Sequence, residues 1–277
     1  MQTVSRRTRT WWKLILYYAT WFVLLSVWVL PLVWLIFSSF QPSDAIARSE
    51  VRPELTLTNY VDVFDRAQIG PFFINSVVVS VTATGLASVL GIPAAYSMAR
   101  YATGGRGLAF WILSSRMLPP AVSLIPFFLL FTQLGIIDTV PGLIIAHLTF
   151  SLAFVIWMSR IFIEDIPPDL EESAQVDGAS LFQAIWRIVL PVARPGILAT
   201  LILNIVFSWN EYLFAFGLSL TERSRTLPIA AGIFVTSYQV QWGQMFAAAV
   251  IIMLPILLFA LVVQRYIVGG LTMGAIK

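Results

Sequence analysis

The costliest placement in this chain is a carboxylate inside an apolar run. Glu211 stands in the stretch Asn204-Ile205-Val206-Phe207-Ser208-Trp209-Asn210-Glu211-Tyr212. An ionisable group at membrane depth is expected to face a cavity or a partner rather than lipid. At helical spacing Asn204, Ser208 and Glu211 fall near one face, at intervals of four and three. Amides and carboxylates beside aromatic rings suit a ligand rich in hydroxyls, which makes Asn204, Ser208, Asn210, Glu211 and Tyr212 the candidate substrate-pathway residues. The same groups equally suit a gate or a hydrogen bond between helices. Arg116, early in another apolar run, either snorkels to the membrane face or lines a pathway. Its estimated depth differs from that of Glu211, so the two are not expected to pair.

Other chemistries find little support. Cysteine is absent and His147 is the one histidine, so there is no disulfide framework, thiol nucleophile or multi-ligand metal site to expect. His147 reads as a hydrogen-bonded packing residue, and Asn75 as a cap or interhelical bond. An intramembrane enzyme would need clustered histidine, serine or carboxylate groups, which the sequence does not offer. No G-x4-G-K-[ST] phosphate loop occurs, so the chain is not expected to hydrolyse nucleotide or to hold a cofactor of its own.

A second polar constellation lies outside the apolar runs. Ile166-Pro167-Pro168-Asp169 is a helix-start signal, since proline in a first turn forfeits no intrahelical bond. Asp169, Glu171 and Glu172 follow in the first turn, where the helix dipole favours negative charge. Gly178 is placed to end that helix in a left-handed conformation. Ser180 and Gln183 then form a capping-box pattern for a second helix carrying Leu181, Phe182, Ile185, Trp186 and Val189. Pro191 and the Pro195-Gly196 pair are expected to close it and return the chain to the membrane. The alternative is an amphipathic linker lying on headgroups, but such helices present Lys and Arg, whereas this one opens with acids. An acidic, apolar knob of short helices suits a cleft on a soluble partner.

The elements that must position these groups follow from composition. Hydrophobic residues make up 58% of the 277 and charged residues 11%, with a mean hydropathy of +0.85. A soluble domain carries about 25% charged residues. The chain therefore reads as an all-α membrane protein with six transmembrane helices, at 14–37, 72–98, 108–134, 142–161, 196–220 and 245–268. Pro119, Pro120 and Pro126 predict the strongest kink in the third. The remaining segments are a tail at 1–13, a polar loop at 38–71 and a terminus at 269–277. A cleavable signal is not expected, because the first apolar run is long and no small-residue site follows it. Arg6, Arg7, Arg9, Lys13, Arg100, Arg106, Arg160, Arg187, Arg194, Arg265 and Lys277 fall on one side, which the positive-inside rule makes cytoplasmic for both termini. The other side holds Arg48, Arg52, Arg66, Arg223 and Arg225 among more acidic residues. The net charge of +3 gives no reason to expect nucleic acid as a partner.

The spacing Glu172-x-Ala174-x3-Gly178-x9-Ile188-x-Leu190-Pro191 resembles the coupling (EAA) loop of ABC-transporter permeases, with Ser173 where alanine is common. Further strings extend the likeness from Asn75-Ser76 to the C-terminus: Arg116-Met117-Leu118-Pro119-Pro120, Gly135-Ile136-Ile137-Asp138-Thr139, Ile166-Pro167 and Trp209-Asn210-Glu211-Tyr212-Leu213-Phe214. Together they are similar to the MalG-like, carbohydrate-uptake branch of the type I ABC importers. The resemblance implies a permease core at 72–268 containing a cytoplasmic helix-turn-helix coupling loop at 164–195. It implies that Glu172 contacts the ATPase, Ala174 allows close approach, Gly178 makes the turn beside Asp177, and Ile188, Leu190 and Pro191 anchor the second helix. It also implies as partners a second, homologous permease, two ATPase subunits that hold the ATP and Mg, and an extracytoplasmic sugar-binding protein, all at a prokaryotic inner membrane. The competing expectation is a self-sufficient, ion-coupled secondary transporter using Glu211, although six spans without a repeat are few for that architecture unless it dimerises.

Overall fold

The computed structural model describes residues 4–48, 50–52, 54–66, 69–236 and 238–272. Lys277 lies outside the described residues, as do the side chains of Arg6, Arg7, Arg9 and Arg265. In chain order the helices are α1 (Val4–Ser39), α2 (Ser43–Ala47), α3 (Thr58–Arg66), α4 (Ile69–Tyr101), α5 (Gly105–Ser115), α6 (Pro120–Gln133) and α7 (Val140–Glu164). They continue as α8 (Asp169–Val176), α9 (Leu181–Ala184), a π-helical turn (Ile185–Val189), α10 (Leu190–Trp209), α11 (Leu213–Leu218), α12 (Ile229–Ile233) and α13 (Trp242–Thr272). Among the described residues five helical stretches are long and apolar enough to cross a membrane, and they number six if the pair α5–α6, bent by 88° at its break, is counted as one span.

The chain divides into two compact units, one of residues 1–66 with 233–251, the other of residues 67–232 with 252–277. In the first, a polar hub organises the segment predicted as a loop. The buried Asn59 amide donates to the Ser39 and Gln41 carbonyls, both at 2.8 Å. Ser43 Oγ donates to Gln244 Oε1 at 2.6 Å, and Gln244 Nε2 donates to Asp62 Oδ2 at 3.0 Å, which ties α2 and α3 to the start of α13. The apolar face of α1 from Trp11 to Ser39 is left almost bare, with Trp28 78% exposed.

The second unit is built on α4 against α7, with α10 packed on both. Ala83, Ala87, Gly91 and Ala95 recur every four residues and are all buried. Such a stripe of small residues lets two helices approach closely in a membrane, where packing rather than the hydrophobic effect drives association. A Cβ at Gly91 would stand 3.1 Å from Val155 Cγ1 on α7, and one at Gly196 would meet the Phe162 ring at 2.3 Å.

Two expectations about helix ends are corrected. The second helix of the polar segment is not closed by Pro191 and Pro195. It runs through the π turn into α10 as one 29-residue stretch, Leu181–Trp209. Pro191 falls in the first turn of α10, where no donor is needed, and the wider π turn just before it accommodates the ring. The fifth span accordingly begins earlier than predicted and ends at Trp209, not Leu220. Span three is likewise not one kinked helix but two, because Pro119 and Pro120 deny successive backbone donors and restart the chain at a new N-terminus.

Candidate functional site

The polar segment is assembled from its local signals. α8 begins after Pro168 with Asp169, Glu171 and Glu172 in its first turn. It ends at Gly178, whose φ is +88°. There the Gly178 amide donates to the Gln175 carbonyl and the Ala179 amide to the Ala174 carbonyl, both at 3.0 Å, the two bonds of a Schellman cap. The capping box at Ser180 and Gln183 is formed in both directions. Ala174 and Gly178 thus have a local role in stopping α8, with Asp177 exposed at its C-cap.

The segment has an inner and an outer side. Inward, Val189, Ala193 and Ile197 share a buried cluster with Ala95, Tyr96, Ile163 and Ile166, and Leu190 packs against it. Ile188 is half-buried, while Pro191 is exposed. Outward, Glu172, Val176, Phe182 and Trp186 stand in the open, Val176 at 87%. Glu171, which sequence reasoning did not single out, turns inward and is only 4% exposed. Two adjacent glutamates look alike in a string of letters. The 100° step of a helix sends them to different faces.

The residues around Glu211 disperse over three environments. Asn204 is fully buried and donates to Thr84 Oγ1 on α4 at 2.8 Å. Ser208 Oγ lies 2.7 Å from His147 Nδ1 on α7. Both are interhelical bonds, and His147 is a buried, hydrogen-bonded packing residue. Asn75 on α4 is neither a cap nor an interhelical bond: it donates to the Arg223 and Arg225 carbonyls of the loop between α11 and α12, at 3.1 and 2.9 Å. Asn210 bonds to the Val206 carbonyl at its own helix end, and Tyr212 stacks on Phe216 with ring centroids 5.5 Å apart.

Glu211 itself sits in the break between α10 and α11, not inside a helix. Its carboxylate accepts from the Phe214 and Ala215 amides at 2.8 and 3.1 Å, with His147 Nε2 3.5 Å away. Unpaired amides at a helix start are natural partners for a carboxylate, which explains how the charge is tolerated here.

Glu211 and Arg116 line one cavity of about 440 Å³, together with Ser123, Thr149, Phe127 and Phe207. Arg116, at the C-cap of α5 where the α5–α6 pair bends by 88°, borders the same cavity as Glu211, and no ion pair joins the two among the described residues. Arg116 donates to the Phe150 carbonyl at 3.1 Å and lies 5.2 to 6.0 Å from the ring centres of Phe154, Phe207 and Phe150. Cation–aromatic attraction compensates a guanidinium held this way. The two prolines signalled the break in the sequence; the phenylalanines, scattered over three helices, carried no local signal.

The turn between α6 and α7 fixes α11. Asp138, at φ +57°, accepts from the Thr221 amide at 3.0 Å, Thr221 Oγ1 at 2.6 Å and Ser224 Oγ at 2.7 Å. Burial pushes its carboxyl up, but these hydrogen bonds outweigh it and hold the group below its ordinary value.

Residues 87–272 match the family model described as the binding-protein-dependent transport system inner membrane component. The chain is 36% identical over 253 residues to the trehalose transport system permease protein SugB of Mycobacterium tuberculosis, covering 90% of this chain and 92% of that one. It is 35% identical over 281 residues to the probable ABC transporter permease protein y4oR of Sinorhizobium fredii, covering both chains in full. To the trehalose/maltose transport system permease protein MalG of Thermococcus litoralis it is 31% identical, over 89% of this chain and 91% of that one. Among solved structures, the fold matches a chain of a bacterial ABC transporter that imports the acidic polysaccharide alginate, with a TM-score of 0.75 at 22% identity, over 96% of this chain and 99% of that one.

Proposed function

We propose the function from one premise: this chain belongs to the binding-protein-dependent transport system inner membrane components. It is a multi-pass inner-membrane permease subunit of an ABC sugar importer, a transport subunit rather than an enzyme. Family membership displaces the ion-coupled alternative built on Glu211. The observation that carries the mechanism is the two-sided segment Asp169–Val189, whose inner side is packed into α4, α7 and α10 and whose outer side presents Glu172, Val176, Phe182 and Trp186.

In this reading the outer side seats in a cleft of a partner ATPase. One such subunit serves this chain and another a second, homologous permease, and both hold the ATP and Mg. Closure of the ATPase pair pushes α8, and the push passes through the packed second half of the segment into α10. Both termini then face the cytoplasm, in keeping with the basic residues of that side. An extracytoplasmic binding protein delivers the sugar, and the cavity at Arg116 and Glu211 forms part of this chain's half of the pathway. Arg116 offers donors and Glu211 an acceptor, while the phenylalanines supply flat faces for a sugar ring. The names of the relatives support an oligosaccharide as cargo.

A tagged chain purified from native membranes in mild detergent tests this. Mass spectrometry should find an ATPase, a second permease and a binding protein, whose retained ligand names the sugar. Recovery of this chain alone, after crosslinking, would overturn the reading.

A further inference from the structure

Glu171 is nearly inaccessible in a helix whose neighbouring acids are exposed. Its carboxylate is shared between two residues of the last turns of α4. Tyr96 Oη donates to Oε2 at 2.6 Å, and Arg100 Nε donates to Oε1 at 2.6 Å, with Nη2 of the same guanidinium also paired to Oε1. Arg100 Nη2 donates in addition to the Ile166 carbonyl at 3.0 Å, just before α8 begins. Tyr96 and Arg100 are four residues apart and so share a face of α4. The Arg100 and Glu171 side chains are 10% and 5% exposed. Beneath them, Tyr96 and Ile166 belong to the same buried cluster as Val189 and Ala193.

We infer that Tyr96, Arg100 and Glu171 form a latch that makes the coupling segment one rigid body with α4 and α10, so that force on α8 moves the helices instead of bending the loop. This rests on the coupling role proposed above and assigns residues to it. The three are positioning residues: they touch neither nucleotide nor sugar, and act by fixing where Glu172 and Val176 stand. A buried ion pair is weak evidence of stabilisation, because desolvation offsets much of the attraction. Its directional bonds nevertheless admit only one placement of α8 on α4, whereas apolar contacts alone would tolerate sliding.

The cysteine-free chain permits a direct test. Spin labels at Gln175→Cys on α8, an exposed position outside the docking residues, and Arg106→Cys at the start of α5, which packs on α7, report their separation by pulsed electron resonance in the purified assembly in nanodiscs. The expected wild-type result is a single narrow distance, unchanged between nucleotide-free and ATP–vanadate samples. The double replacement Arg100→Met with Glu171→Met leaves no charge unpaired, and should keep the wild-type melting temperature within a few degrees while broadening the distribution at least twofold. Tyr96→Phe, the mildest change, should broaden it less. A wild-type distance that shifts with nucleotide would overturn the inference, as would a double variant that stays as narrow as wild type. The nucleotide-free comparison stands even if no ATPase co-purifies, an outcome that would count against the transporter reading alone.

Discussion

Adjacent glutamates with opposite duties set the first prediction. Glu172 is exposed and its carboxylate has no partner among the hydrogen bonds and ion pairs of the described residues, so Glu172→Lys should leave the protein in the membrane at wild-type abundance yet abolish uptake, as measured by transport of the identified sugar in whole cells. Wild-type uptake would remove Glu172 from the docking surface. Asp138 sets a second. Its folded pKa is depressed, so its contribution is present above the unfolded value of about 3.9 and is lost as pH falls through the folded one. Asparagine tolerates the left-handed backbone of this position, so Asp138→Asn isolates the charge. Thermal unfolding between pH 7 and pH 3 should fall less steeply at the acid end for the variant than for wild type; parallel curves would contradict this. The sequence made Glu172, Gly178 and Glu211 visible as residues that no apolar span would carry idly. It did not reveal that Asn204 Nδ2 donates to Thr84 or that Ser208 Oγ pairs with His147, because a neighbour on another helix leaves no trace in local spacing.

At the scale of elements, the join of α8 to α9 depends on one backbone angle. A Cβ at Gly178 would meet nothing within 4 Å, so Gly178→Ala is strained by conformation alone, at about 1 kcal/mol. Gly178→Pro additionally loses the amide that bonds to Gln175 and cannot adopt a positive φ. Alanine should therefore retain the partner ATPase on co-purification, and proline should lose it; equal retention would show that the cap does not set the segment's shape. Further along, Gly196→Ala drives a methyl into the Phe162 ring and should cost about 1–3 kcal/mol by overpacking, with relief on adding Phe162→Leu. Detergent-solubilised melting curves of the single and double variants would check it. The caps of this region were legible because each rests on residues close in sequence. The continuity of Leu181–Trp209 was not: Pro191 and Pro195 read as terminators, yet Pro191 follows a π turn in the first turn of α10 and Pro195 lies inside that helix.

For the whole molecule, six apolar stretches were visible from composition; among the described residues five are single helices long enough to cross a membrane, and the third is broken into the bent pair α5–α6. What composition could not supply was the use of the break. The bend between α5 and α6 is what places Arg116 on the cavity that Glu211 also lines, joining two residues that a straight-helix picture kept at different depths. The apolar face of α1 from Trp11 to Ser39 is left almost bare by the rest of this chain. The coupling role requires a partner ATPase to meet this chain at the outer side of α8. Replacing Glu172 with cysteine in the otherwise cysteine-free chain, and treating native membranes with a short thiol–amine crosslinker, tests it most directly. One dominant adduct is expected, to a protein bearing the G-x4-G-K-[ST] phosphate loop that this chain lacks, identified by mass spectrometry. Adducts only to lipid or to another copy of this chain would contradict it.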